Sequence, residues 1–482
     1  MDGIPDINPL LWSNLGAIGL LLGLAWRPGS RSVGLPACYL LSLATIHLVG
    51  AWVSTLPACT TENSLAAAIG FRECFAGVLA FGVGVLGVEC WLAAKHSWLP
   101  PRVGPATGKA TGEHHRAGAD GTPIPGQGCA RTPAAYILLG VLCTLGSPLV
   151  SSIPSLAALA HCGAYLTVAG FCLGCFQAWR RGHRGTFLGW AGATFLFPLF
   201  TVLTSGFIGY GIFAALMVLS FALVFYRPRW QAVLALAVLA YLALSTYVTY
   251  MRDRDQMREA VWGGQNYSAR IVRLEEILAR FEFFQPGDER QLQAIDDRLN
   301  QNFFVGTAHA QLETGVVAWA NGSTLWRALQ AVVPRILWPD KPVVAGSGNL
   351  VSEFTGLSFA EGTSVGVGQV LEFYINFGRT GVILGFLCFG FVLRFLDWRA
   401  ARNLHQGDYA GFVLWYLPGL AFMQTGGSLV EVSGTCAASL ALVYAVNRFA
   451  IPIALPLLAG RDRAPCVPNF YSRDPNHRQP RT

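Results

Sequence analysis

Apolar residues run in long blocks along most of the chain, separated by short polar or Gly/Pro-bearing breaks. The blocks lie at roughly 10–26, 33–53, 67–94, 134–150, 155–179, 186–204, 206–226, 231–250, 367–393, 409–425 and 429–455. Each is near the roughly 20 apolar residues that cross a bilayer as a helix, so the pattern predicts eleven transmembrane helices. Only TSG joins the sixth block to the seventh, which predicts a tight helical hairpin or one broken element. Between 251 and 365 the pattern changes. Ile271, Leu274, Ile277, Leu278 and Phe281 recur at helical spacing and predict an amphipathic helix over 268–284. A second helix is expected through 288–303. Leu325, Trp326, Leu329, Val332 and Val333 predict a third, broken by Pro334 and Pro339. With Trp326 and Trp338 it is expected at headgroup level.

Composition agrees with this pattern. The 482 residues are 53% hydrophobic and only 13% charged, against roughly 25% charged in soluble domains. Such a chain has too little polar surface for a water-soluble body, which excludes a disordered chain, a coiled coil or a nucleic-acid-binding domain. The net charge of +7 is a topological signal and names no partner. Every second loop is basic, and these loops hold 21 of the 34 Lys and Arg, among them Arg394, Arg399 and Arg402 after the ninth block. By the positive-inside rule the N-terminus is outside and the C-terminus cytoplasmic. The acidic start MDGIPDINP lacks the basic region of a cleavable signal peptide and is expected to be retained.

The expected organisation is an all-α polytopic membrane protein with one large extracytoplasmic loop. Helices one to eight fill 1–250, the loop 251–366, and helices nine to eleven 367–456. A Gly/Pro-rich cytoplasmic linker occupies 95–133 and a polar tail 457–482. No internal repeat is visible. Most of the 12 Cys lie in apolar runs, and Cys172 and Cys175, a CxxC without further ligands, read as packing residues.

Candidate chemistry concentrates in 251–379, which holds 15 Asp/Glu and 12 Lys/Arg, nearly half of the chain's charge. In VPRILWPDKP, Arg335 and Lys341 flank a turn stiffened by prolines; they read as a phosphate clamp or as interfacial anchors. Glu372, Asn376 and Arg379 are spaced to share one helical face. Glu372 reads either as half of a Glu372–Arg379 pair or as a carboxylate facing a reaction chamber. Arg72, Glu73 and Glu431 are further charges at outer helix ends. The Gly-rich GTSVGVG at 362–368 lacks the order of a nucleotide loop. Asp253 and Asp255 in RDRD read as a solvated charge run rather than a metal motif, EHHR lacks metal-ligand spacing, and His309 reads as a structural histidine more readily than as a catalyst.

VPRILWPDKP followed by GTSVGVGQVLEFYINFGRTG, within about 298–381, resembles the signature of bacterial oligosaccharide repeat-unit polymerases, the Wzy-type O-antigen and exopolysaccharide polymerases. The resemblance implies a GT-C-like glycosyltransferase of the bacterial inner membrane working on its periplasmic face. It would move a growing glycan from undecaprenyl pyrophosphate onto the next lipid-linked unit, alongside a flippase and a chain-length regulator. No cofactor or metal is implied. Arg335 and Lys341, with Arg298 and Arg327, would hold the pyrophosphate. Glu372 is the first candidate base and His309 the second, with Asp340, Tyr374, Asn376 and Arg379 in support. The alternatives are ligase-like transfer of glycan to lipid A core and a lipid-linked glycan flippase or transporter. The gathering of ionisable groups at outer helix ends favours outer-face chemistry over transport.

Overall fold

The structure is a computed structural model that describes residues 7–26, 31–56, 64–94, 131–150, 152–226, 230–335, 337–338, 340–341, 347–359 and 365–459. The expected linker at 95–130, the tail from 460, Gly362–Ser364, Pro339 and Pro342 lie outside the described residues. All regular structure among the described residues is helical. The first half comprises α1 (Ile7–Ala25), α2 (Leu35–Val53), α3 (Ser64–Ala94), α4 (Thr132–Gly146), α5 (Pro154–His161) and α6 (Gly163–Arg180). It continues through α7 (Arg184–Ala193), α8 (Phe197–Ser205), α9 (Ile208–Phe225) and α10 (Trp230–Trp262). Shorter helices follow: α11 (Tyr267–Ala279), α12 (Glu289–Leu299), α13 (Asn302–Glu313), α14 (Ser323–Ala331) and α15 (Ser347–Thr355). The chain then returns through α16 (Gln369–His405), α17 (Tyr409–Ala421), α18 (Leu429–Ala445) and α19 (Ile451–Ala459).

Among the described residues nine helical segments are long and apolar enough to cross a membrane: α1, α2, α3, α9, α16, α4 with its terminal 3₁₀ turn, and the pairs α5–α6, α7–α8 and α18–α19. The other two expected spans fall on the first part of α10 and on α17, an apolar helix of 13 residues. The sixth and seventh blocks form a hairpin, α9 folding back on α8 through Gly206 in the left-handed region (φ 77°). α16 extends well past the expected 393, so Arg394, Arg399 and Arg402 are helical rather than loop residues.

α3 is the central strut, packed against both α13 and α16. Its seams rest on backbone contact where side chains would collide. A Cβ at Gly306 of α13 would lie 1.8 Å from the Ala66 carbonyl, and one at Gly70 would lie 2.0 Å from that of Asn302. On the α16 side, a Cβ at Gly84 would lie 2.2 Å from the Leu387 carbonyl, and one at Gly390 2.2 Å from that of Phe81. Between helices in an apolar medium, such close packing replaces the hydrophobic driving force that water would supply.

α13 corrects one expectation for the polar segment. The helix foreseen over 288–303 breaks at Asn300, separating α12 from α13. The second piece inserts against α2, α3 and α16, burying Val305, Ala308 and Leu312. Asn302 anchors its start. Its Oδ1 lies 2.7 Å from His47 Nδ1 and its Nδ2 donates to the His47 carbonyl at 2.7 Å, so both polar ends of the buried amide are satisfied.

The opposite end of the bundle is closed by a buried charge network. Arg394 donates to Asp397 Oδ2 (2.6 Å) and, through Nε, to Glu89 (2.8 Å). Asp397 Oδ1 in turn accepts the Val33 and Leu35 N–H groups at 2.9 and 3.0 Å, joining the start of α2 to α16. A carboxylate at these N-terminal donors satisfies groups that a helix leaves unpaired.

The glycine seam gives a direct test. Gly306→Ala is expected to destabilise the protein by about 1–3 kcal/mol, the usual cost of overpacking. Gly16→Ala, where a Cβ meets nothing within 4 Å, is expected to be neutral. Thermal unfolding in detergent, read as Tm, checks both.

Candidate functional site

The second half of α10, α11 to α15 and the starts of α3, α16 and α18 meet at one end of the bundle. α16 is interrupted there. Phe377 (φ −145°, ψ 26°) and Gly378 (φ 60°, ψ −148°) are not helical, so the helix is kinked. Gly378 is in a region that a side chain would strain. This kink overturns the expected single face of Glu372, Asn376 and Arg379. Arg379 is rotated away from Glu372, and the Glu372–Arg379 pair does not form.

Arg379 instead reaches α3. It grips Glu73 through two bonds, Nη2 to Oε1 at 2.6 Å and Nε to Oε2 at 3.0 Å. Arg72 Nε adds a third at 3.3 Å. Glu73 is buried, whereas the Arg379 side chain is 49% exposed and Arg72 is 30% exposed. One buried carboxylate therefore carries two cations whose outer edges meet solvent. Next to them, Tyr374 on the N-terminal side of the kink bonds through its hydroxyl to His309 Nδ1 on α13. Trp319 packs on Tyr374, with ring centroids 5.9 Å apart. Arg72, Glu73, Glu313 and Arg379 all lie within electrostatic reach of the Tyr374 hydroxyl. His309, Tyr374, Arg379, Arg72 and Glu73 thus form one polar cluster across α3, α13 and α16, with His309 half-buried.

Glu372 and Asn376 do different work. Glu372 is fully buried, and its Oε2 accepts the Leu429 N–H at 2.6 Å, at the first turn of α18. Asn376 Oδ1 accepts the Gly322 N–H at 2.8 Å. Its Nδ2 is 2.7 Å from both Thr324 Oγ1 and the Glu372 carbonyl. The two residues lock the starts of α14 and α18 to α16, and both side chains are buried among the described residues. Glu431 does not join them in a cavity: it completes a capping box with Ser428 at the head of α18 and accepts from Ser347 Oγ at 2.8 Å.

The four expected pyrophosphate cations are dispersed. Arg335 and Lys341 share the turn after α14: Arg335 Nη1 donates to the Lys341 carbonyl at 3.0 Å, and Lys341 Nζ donates to the carbonyls of Val333 (3.0 Å) and Ala331 (3.2 Å). Lys341 caps the C-terminal end of α14, where a cation is favoured. Burial, and then the Arg335 charge, push the Lys341 ammonium below its ordinary pKa. Asp340 is exposed in the same turn, and Arg327 projects exposed from α14. Arg298 is held elsewhere, on α12 beside Arg254 and Arg258. The nine residues of α14, about 13 Å long at 1.5 Å per residue, separate the cation pair from Glu372 and Asn376.

Sequence reasoning singled out Arg72, Glu73, His309, Tyr374 and Arg379 but not their association, because Glu73 and Arg379 are 306 positions apart. It missed the Gln301 side chain, which covers the described part of the Gly-rich stretch. A Cβ at Gly368 would lie 2.2 Å from Gln301 Oε1, and one at Gly366 would lie 2.3 Å from the Gly426 carbonyl. These glycines serve close packing. Asp253 is engaged by Arg252 (2.7 Å), which also bonds Glu282, so the RDRD run is neutralised within its own neighbourhood.

Asn376→Ala removes three bonds at once and is expected to lower stability by roughly 1–3 kcal/mol. It is also expected to speed amide hydrogen exchange selectively in Ser323–Ala331. Unchanged exchange in that helix would show that Asn376 does not hold it.

No curated protein and no solved structure matches the chain. A family model described as a domain of unknown function, DUF8712, matches residues 129–433. That range takes in His309, Tyr374 and Arg379 but not Arg72 and Glu73 of α3. Since the match spans more than half of the sequence, the chain belongs to the DUF8712 family.

Proposed function

We propose that the protein is a membrane glycosyltransferase that polymerises polyprenyl-pyrophosphate-linked oligosaccharide units at the α3–α13–α16 cluster. The observation that carries this reading is the His309–Tyr374 contact beside the Arg72–Glu73–Arg379 group, at the end of an apolar bundle. The family resemblance supplies the substrate class, and the cluster supplies groups of the right chemistry.

The acceptor hydroxyl oxygen attacks the anomeric carbon of the donor glycan. The bond from that carbon to the phosphate oxygen breaks, and the lipid pyrophosphate leaves with the bonding electrons. With Nδ1–H donated to the Tyr374 oxygen, His309 carries its lone pair on Nε2 and takes the hydroxyl proton. Glu73 is shared by two arginines, whose side chains are 30% and 49% exposed. The solvent-facing edges of Arg379 and Arg72 can meet the charge that grows on the leaving group. Glu372, capped onto α18, positions the elements and takes no proton in this scheme. The apolar helix surfaces accommodate the prenyl chain. The reaction belongs to the outer face of a bacterial inner membrane, with a flippase supplying units and a chain-length regulator acting on the product.

Surface polysaccharide from a deletion strain complemented with variants, resolved on a gel, tests this. His309→Ala is expected to reduce chain extension by about 10²-fold or more, the usual share of a general base. Arg379→Ala is expected to leave single repeat units in place of a ladder, and Tyr374→Phe to shorten chains at unchanged protein abundance. Full-length ladders from His309→Ala would sink the assignment. Long chains retained on the polyprenyl carrier in the deletion strain would favour ligase-like transfer.

A further inference from the structure

Between α11 and α12 the chain runs as a non-helical strip, residues 281–285, along α10. Three hydroxyl side chains of α10, Tyr241, Ser245 and Thr249, recur every four residues and share one face of that helix. They serve the strip as the edge of a sheet would. The Glu282 N–H donates to Thr249 Oγ1 at 3.0 Å, and Thr249 Oγ1 donates back to the Glu282 carbonyl at 3.2 Å. The Phe284 N–H donates to Ser245 Oγ at 3.1 Å, and the Tyr241 hydroxyl donates to the Phe284 carbonyl at 3.0 Å. Gln291 of α12 serves the end of the strip. Its Oε1 accepts the Gln285 N–H at 2.9 Å, and its Nε2 donates to the Phe283 carbonyl at 3.4 Å. Both carboxylate oxygens of Glu282 are engaged, Oε1 by Arg252 and Oε2 by Arg290.

Water satisfies an irregular backbone without help, whereas a backbone beside hydrocarbon has to find its partners within the protein. The side chains fit the second setting. Phe284 is buried with Val53 at the end of α2, one of the membrane-length helices, and its ring centroid is 6.1 Å from that of Trp52. Phe281 and Phe283 face outward and are 37% and 56% exposed. Their rings meet edge to face at 5.2 Å, and the Phe283 ring stacks on Tyr241 at 6.4 Å, 11° from parallel. Tyr241 is itself exposed and lies one turn from exposed Val238 and beside exposed Leu242, in the apolar first part of α10. The two phenylalanines therefore extend the apolar outer surface of α10 onto the polar segment. Exposed rings joined to such a surface favour hydrocarbon over water.

We propose that Phe281 and Phe283, with Tyr241, form a lipid-contact surface that seats the polar segment after α10 in the bilayer at this end of the bundle, with lipid acyl chains as the partner. Ser245 and Thr249, together with the Tyr241 hydroxyl, hold the strip in place for that contact. The surface uses none of the residues of the His309–Tyr374 cluster and stands independently of glycan transfer.

The test uses the full-length protein in nanodiscs of phosphatidylcholine that carries a photoactivatable diazirine in one acyl chain. Trypsin cuts after Arg280 and Arg290 and so separates 281–290 from 291–298 of α12. Illumination of the native chain is expected to leave adducts on 281–290, at Phe281 or Phe283. None are expected on 291–298, whose exposed side chains, Gln293 and Asp297, are polar. Ser245→Ala with Thr249→Val removes three of the four bonds between α10 and the strip. It is expected to speed amide exchange at Glu282 and Phe284 about fivefold and to lower the labelling of 281–290. Equal labelling of the two peptides, or a strip labelled only by a water-soluble carbene reagent, overturns the proposal. A strip shielded from both reagents in a particle of doubled protein mass shows that a second copy covers it, which also overturns the proposal. Unchanged exchange in the double variant overturns the holding role of the hydroxyls.

Discussion

The structure depends on how closely α3 approaches α13 and α16. Gly70 and Gly306 bring α3 and α13 to backbone contact, and Gly84 and Gly390 do the same for α3 and α16. In an apolar surround, helices gain little by hiding apolar side chains from one another, so contact distance matters more than hydrophobicity. The consequence reaches the site. Glu73 lies one turn beyond Gly70, His309 three residues beyond Gly306, and Tyr374 and Arg379 on either side of the α16 kink. Widening either seam would separate the groups that form the cluster.

A second constraint is the cost of charge inside such a bundle, and the two ends meet it differently. At one end Arg394 bridges Asp397 and Glu89, and Asp397 also binds the first amides of α2. That network is closed and ties helices together. At the other end Glu73 is shared by Arg72 and Arg379, whose outer parts remain exposed. The closed network reads as architecture. The Glu73 group joins α3 to α16 while keeping part of its cationic surface exposed.

The polar segment after α10 shows how local pattern and tertiary packing divide the work. Its amphipathic helices were legible in outline, because apolar spacing marks α11 and α14, although α11 stops at Ala279 and leaves Phe281 outside the helix. α13 was not, although its residues lay in plain view. Nothing in NFFVGTAHAQLE announces that its glycine will meet Ala66, or that Asn302 will find His47 255 positions away. Similarly, Glu372 and Arg379 looked like partners by helical arithmetic. Two non-helical residues, Phe377 and Gly378, turned one towards α18 and the other towards α3.

By itself the sequence determined the helical character, the position of nine membrane-length apolar segments among the eleven expected, and the stretch in which charge concentrates. These follow from composition and periodicity, which act over a few turns of chain. It also named His309, Tyr374, Arg379, Arg72 and Glu73 as individuals. Only the tertiary structure decided that these five meet, that Glu372 and Asn376 serve as joints, and that Arg298 leaves Arg335 and Lys341 for Arg254 and Arg258. The reason is physical: pairing between distant charges depends on which helices touch and where they bend. Here contact is set by small residues whose meaning is invisible until their partners are in place.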